Sequence, residues 1–186
     1  TQFGVFSSHM RYHGTSKREP WHFPKISGLI RRWFRLRYAL IPYLLEQGEK
    51  VTRTGYPVLR ALLMHHPDDP TVWHIDDAFF CGDDLLVAPV MNAGNRRDVY
   101  LPEGSWVNFF TGERSEGPRW LKNFECPLAD MPVWVRAGAV LPMYPEPVDC
   151  TDQMDFSKVL RVKIDETFTG IGNALPEDLL SETLTH

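Results

Sequence analysis

The spacing of the apolar residues changes partway along the chain, and this limits the possible folds more than any other feature. Between residues 26 and 48, Ile26, Leu29, Ile30, Trp33, Leu40, Ile41, Leu44 and Leu45 recur at helical spacing, and Arg31, Arg32, Arg35 and Arg37 fill much of the remainder. This predicts an amphipathic helix with a solvated arginine face, stopped at Gly48. Pro42 removes one rung of the ladder and predicts a kink between residues 38 and 41. Past Pro70 the apolar residues come instead as short, aromatic-rich runs at 85–90, 98–102, 105–110 and 132–136. Pro102-Glu103-Gly104 and Thr111-Gly112-Glu113 read as turns between them. Strands at such close spacing predict an antiparallel sandwich or barrel.

Between these two regimes, Val58-Leu59-Arg60-Ala61-Leu62-Leu63-Met64 reads as a buried strand, ended by the turn-forming cluster His65-His66-Pro67-Asp68-Asp69-Pro70. A helix followed by a wholly apolar strand is the pattern of a parallel α/β layer. The expected architecture is therefore α/β followed by all-β, with a boundary between Asp68 and Asp77. Residues 1–68 form the α/β part and 69–145 the β-sandwich, and 146–186 begin a further β segment or an unstructured tail. That last part holds one strand candidate, at 159–164. The chain opens without methionine on the strand-like run Thr1-Gln2-Phe3-Gly4-Val5-Phe6, followed by a loop to about residue 24. An apolar opening of this kind predicts the back portion of something larger.

Composition removes several function classes. A net charge of −4 leaves no basic footprint for nucleic acid or an anionic lipid surface. No run of about eighteen apolar residues appears, so no membrane-spanning helix is expected. The three cysteines, Cys81, Cys126 and Cys150, are widely separated, which argues against a disulfide framework or structural zinc and fits a reducing, cytoplasmic setting. Cys81, beside Phe79-Phe80, reads as a small buried hydrophobe.

The densest functional-looking patch is Ser7-Ser8-His9-Met10-Arg11-Tyr12-His13-Gly14, followed by Arg18-Glu19-Pro20-Trp21. Imidazole and guanidinium groups can donate to ligand hydroxyls, and Trp and Tyr can stack on a sugar face. The blander reading is that His9 and Arg11 only tie the loop to backbone carbonyls. A metal site from His9, His13, His65 and His66 is not expected, because Gly14 and the hydroxyl-rich run argue for a loop and the Glu of H-E-x-x-H is missing. Asp76-Asp77 and Asp83-Asp84 read as solvated turn residues, since neighbours on a strand point to opposite faces. No G-x-S-x-G, Walker or dinucleotide-binding glycine pattern is present.

The run from Gln2 to Gly14 resembles the segment that follows the catalytic acid in family 31 glycoside hydrolases. The helix bearing Pro42-Tyr43-Leu44 is similar to that family's long helix, and residues 57–67 resemble its last barrel strand. Gly82-Asp83-Asp84-Leu85-Leu86-Val87-Ala88-Pro89-Val90, Tyr100-Leu101-Pro102-Glu103-Gly104-Ser105-Trp106 and Pro132-Val133-Trp134-Val135-Arg136-Ala137-Gly138 resemble its following β-domain. The likeness runs in consistent order over residues 1–145. Arg11-Tyr12-His13 stands where the α-glucosidase branch has Arg-Asn-His, and the phrase around it is nearer the α-xylosidase branch.

The resemblance implies the end of a (β/α)8 barrel followed by a β-sandwich, in a retaining α-glycosidase that hydrolyses terminal α-linked sugars in carbohydrate metabolism. Two carboxylates about 5–5.5 Å apart would perform the cleavage. In the family both are aspartates lying ahead of the matched segment, so no catalytic residue is expected in this chain and the isolated chain is expected to be inactive. His13, Arg11 and Trp21 are the implied substrate-binding residues: His13 on hydroxyls of the sugar in the cleavage subsite, Arg11 bracing the loop, Trp21 at the pocket rim. The expected partner is a small-molecule or oligosaccharide substrate. No cofactor or metal, nucleic acid or membrane is expected, and an oligomer is left open. Standing alone, residues 1–68 would expose large apolar areas and aggregate. The alternative reading is a non-catalytic carbohydrate-binding or structural β-sandwich that uses the faces of Trp106 and Trp134.

Overall fold

The computed structural model describes residues 1–176 and 179–180. The expected helix is present as two: α2 (Ser27–Ala39) and α3 (Ile41–Thr54), separated at Leu40. Pro42 sits in the first turn of α3, where its missing N–H leaves no bond unmade, so the expected kink becomes a break between two helices. The stop lies at Gly55, not Gly48. Gly55 takes φ 76°, the left-handed conformation that ends helices, and its N–H reaches Val51 O at 2.9 Å. The strand-like opening is instead a one-turn helix, α1 (Gln2–Val5), which turns Val5 and Phe6 wholly inward. A run this short has no period that separates strand from helix.

The rest is antiparallel sheet. Six strands, β1 (Leu59–Ala61), β2 (Phe79–Cys81), β3 (Leu85–Val87), β4 (Arg96–Asn108), β5 (Arg114–Glu125) and β6 (Val133–Arg136), assemble in the order β1-β2-β3-β6-β4-β5. A two-stranded sheet pairs β7 (Val140–Met143) with β8 (Leu160–Lys163). The segment expected to close the barrel layer thus behaves differently. Leu59–Ala61 pairs antiparallel with β2, and Leu62–Met64 turns into a 3-10 helix. Pro102-Glu103-Gly104, expected as a turn between two strands, is an irregularity within β4. The polar strand β5 had no apolar signal to announce it.

The central strands read as unbroken apolar runs because both faces of the sheet are covered. Cys81, Leu85, Val87, Val107, Val133 and Val135 join one cluster, to which α2, α3 and the Leu40 between them contribute Trp33, Leu36, Leu40 and Tyr43. The alternate positions Phe80, Leu86, Trp106 and Trp134 face a second cluster, closed by Leu62 and Val72. Each fully buried side chain of this size contributes about 1.5–3 kcal/mol. The helices therefore share one core with the sheet, while Phe3, Trp21, Phe23, Ile26, Leu45 and Leu63 of residues 1–68 remain exposed. The same cluster takes in Phe168, Ile171, Leu175 and Leu179. The segment expected as a further β segment or a tail thus holds β8 and packs these four side chains; residues 177–178 and 181–186 lie outside the described residues. Trp106 and Trp134 are each 1% exposed, which removes them as sugar-stacking faces and with them that form of the alternative reading.

Candidate functional site

The loop after α1 is held by helix α2. Arg37, expected on a solvated face, turns inward: Nη1 donates to Val5 O at 3.0 Å and to Ser7 O, and Nη2 donates to Ser8 O at 3.2 Å. Burial lowers its pKa from the usual arginine value. Ser7 Oγ lies 2.9 Å from Gly4 O and 2.7 Å from His9 O, sharing its one hydrogen between them. Met10 packs against Gly4, where a Cβ would fall 2.8 Å from Met10 Cγ. The ring of Tyr12 meets that of Phe34 on α2 edge-on at 5.8 Å, and its hydroxyl bonds Thr1 Oγ1.

These ties aim the loop into a cleft of about 540 Å³ lined by Phe3, His9, Arg11, Tyr12, His13 and Arg18, among others. None of its lining residues is acidic. Arg11 and His13 are brought together, with Arg11 Nη2 2.8 Å from His13 Nδ1. A guanidinium has no acceptor, so Nδ1 accepts and the ring proton sits on Nε2, free to donate. Trp21 does not line the cleft. It stands on the turn Pro20–His22, 72% exposed, tilted against His22.

The His65-His66 pair lies elsewhere, in a second cleft of about 510 Å³ with Asp69, Tyr100 and Glu103. Among the described residues no group of three or more His, Cys, Asp or Glu is placed to hold a metal ion. Both imidazoles stack near Phe80, with ring centroids 4.3 and 6.0 Å away. Arg60 Nη1 lies 3.2 Å from His65 Nε2, and Arg136 Nη2 lies 3.2 Å from His66 Nε2. Burial first, then the Arg60 and Arg136 charges, lowers the His65 pKa to about 4; burial and Arg136 lower that of His66.

Asp83 and Asp84 stand in the expected turn, between β2 and β3, but are half-buried rather than solvated. Asp83 accepts from Arg60 Nη1 at 2.5 Å and from Lys50 Nζ. Burial alone would raise its pKa, but these bonds outweigh burial and lower it, whereas burial and the Asp83 charge raise that of Asp84. Asp77 likewise accepts from Arg97 Nη2 at 2.7 Å. Cys81 is buried as expected, and burial pushes its thiol up to about 12. Of the side chains that hold the cleft loop, Arg37 is one the sequence placed on a solvated face.

Two helices packed on a two-faced antiparallel sheet thus hold a loop rich in imidazole and guanidinium groups. The model of the glycosyl hydrolases family 31 TIM-barrel domain matches residues 1–47, and that of the glycosyl hydrolase family 31 C-terminal domain matches residues 55–141. The α-xylosidase of Xanthomonas citri has a solved structure that superposes at TM-score 0.76 with 36% identity, over 82% of this chain and 17% of that one. A Flavobacterium johnsoniae dextranase solved with isomaltotriose superposes at TM-score 0.73 with 36% identity, over 81% of this chain and 19% of its own. Alpha-glucosidase 2 of Bacillus thermoamyloliquefaciens is 34% identical over 145 residues, 75% of this chain and 18% of that protein. The chain belongs to glycoside hydrolase family 31. It combines the C-terminal part of the TIM barrel with the following β-sandwich domain, and spans less than a fifth of the length of each of these relatives.

Proposed function

We propose that this chain serves as the C-terminal part of a retaining α-glycosidase of the α-xylosidase type, hydrolysing terminal α-linked sugars of a small or oligomeric substrate. The observation that carries this is the Arg11–His13 pair in the cleft, because it fixes His13 as a hydroxyl donor. Such a donor acts on the rate when its bond to the sugar tightens toward the oxocarbenium-like transition state. Arg11 braces His13, while Trp21, exposed and outside the cleft lining, is kept as a weaker substrate contact. The cleft lining supplies no carboxylate, which supports a nucleophile and acid/base drawn from outside these residues. The barrel contribution ends with α3, since β1 already pairs within the β-domain sheet. On this reading purified 1–186 binds methyl α-xyloside saturably and does not hydrolyse a nitrophenyl α-xyloside. Binding that survives His13→Ala, or turnover abolished by changing an aspartate within the chain, overturns it.

A further inference from the structure

We infer that Arg37 is the positioning residue of the sugar-binding loop: one half-buried guanidinium on helix α2 sets where residues 7–13, and with them His13, stand. This rests on the proposed function only for its sugar readout.

Three carbonyls within four residues, Val5, Ser7 and Ser8, accept from the two Nη atoms of this single side chain. Val5 ends the one-turn helix α1, whose last carbonyls have no partner of their own in the helix. Val5 and Ser7 are buried, so water cannot take the place of Arg37 at no cost. The chain turns and bends at residues 6–8, and three of its carbonyls accept from one side chain. A planar fork with donors on separate nitrogens can serve them; an ammonium on a flexible stem serves them less well.

The charge itself adds to the case. A half-buried cation gives up part of its hydration, and among the described residues no carboxylate makes an ion pair with Arg37. The nearby Cys81 thiol stays neutral, its pKa pushed up to about 12. Among the described residues, the hydrogen-bond partners of the guanidinium are these three loop carbonyls, so the side chain is tied to the loop. From the pinned carbonyls the path to the cleft is short. Ser7 Oγ bonds His9 O, Met10 packs on Gly4, and Arg11 and His13 follow two and four residues after His9.

The test uses chain 1–186 with Arg37→Met, which keeps the stem and removes every donor, and Arg37→Lys, which keeps the charge. Amide hydrogen exchange is read over residues 4–14 and over the sheet. In Arg37→Met the expected result is exchange at least about tenfold faster at residues 7–13 with β3 and β6 unchanged, and methyl α-xyloside affinity about tenfold weaker. Arg37→Lys, the variant to rely on if Arg37→Met does not fold, is expected to recover protection at one end of the loop only. Millimolar methylguanidinium added to Arg37→Ala is expected to restore both protection and affinity, an effect that general destabilisation does not produce. Unchanged exchange at 7–13 in both Arg37→Met and Arg37→Lys overturns the inference. If the wild-type chain binds no sugar while the exchange pattern follows this course, the proposed function falls and the positioning role stands.

Discussion

Arg11 Nη2 and His13 Nδ1 are 2.8 Å apart, and this bond determines which ring nitrogen of His13 is left to donate. Nδ1 is occupied as an acceptor, so Nε2 carries the proton. Removing the imidazole deletes the donor; removing the guanidinium leaves the donor but frees the ring to change tautomer and orientation. His13→Ala is expected to weaken methyl α-xyloside binding by about tenfold or more, and Arg11→Met by about threefold. Nitrogen chemical shifts of the imidazole check the mechanism directly: the Nε2–H form should dominate in the wild-type chain and mix with Nδ1–H in Arg11→Met. Equal losses with an unchanged tautomer would mean that Arg11 binds sugar on its own account.

The His65-His66 pair makes stability fall in mild acid. Each Nε2 faces an arginine that can only donate, so protonation sets a cation against a cation. Around them stand Arg60, Arg136, Asp83, Asp69 and Glu103, and the net direction is downward for both. A folded-state pKa below the unfolded value means the unfolded chain binds more protons, so stability is complete above about pH 6.5 and is lost as pH drops toward 4. Both rings are partly open to solvent, which reduces the effect for His65 to about 1–2 kcal/mol. Urea midpoints at pH 7.5 and 4.5 measure it, and His65→Gln should flatten that difference. An equal pH dependence in wild type and variant would assign it to the carboxylates instead.

Asp83 balances a charge the fold cannot leave alone. Arg60 is 3% exposed and its Nη1 donates to Asp83 Oδ1 at 2.5 Å, so Asp83→Ala strands a buried cation. The expected cost is about 3 kcal/mol, read from urea unfolding followed by tryptophan fluorescence. Lys50 reaches the other oxygen from a more open position, and Lys50→Ala should cost less than about 1 kcal/mol. Similar effects of the two changes would show that Arg60 finds other compensation.

Much of this was legible in the sequence. The change of apolar spacing separates α2 and α3 from the sheet, and the runs at 85–90, 132–136 and 159–164 hold β3, β6 and β8. Arg11 and His13, two residues apart in one loop, meet as neighbours. What was missed depends on partners distant in sequence. Four arginines share the helix, and only packing against α1 decides that Arg37 turns inward. An apolar run at 58–64 does not say which strand it will pair with, and β2, lying eighteen or more residues on, makes the pairing antiparallel. Strand β5 carries Arg114, Glu116, Arg119, Lys122 and Glu125 at the sheet's edge, where charge guards an open ladder and no apolar alternation is required.

The β4–β5 pair depends on a glycine whose role no turn pattern announces. Gly117 stands opposite Gly104 where the register shifts, and a Cβ at 117 would fall 1.9 Å from Pro102 O and 2.7 Å from Leu101 O. Both obstacles are backbone, so no side chain can swing aside and the two strands must part. Trp106 Nε1 donates to that same Pro102 carbonyl at 2.8 Å, which carries any displacement into the aromatic core. Gly117→Ala is therefore expected to cost about 3 kcal/mol or more. Gly48 provides the contrasting case: it lies within α3 with no atom near its missing Cβ, so Gly48→Ala should stabilise by about 0.5–1 kcal/mol. Thermal unfolding of the two variants side by side reads both signs. A mild Gly117→Ala would mean that the strands separate at this irregularity without disturbing Trp106.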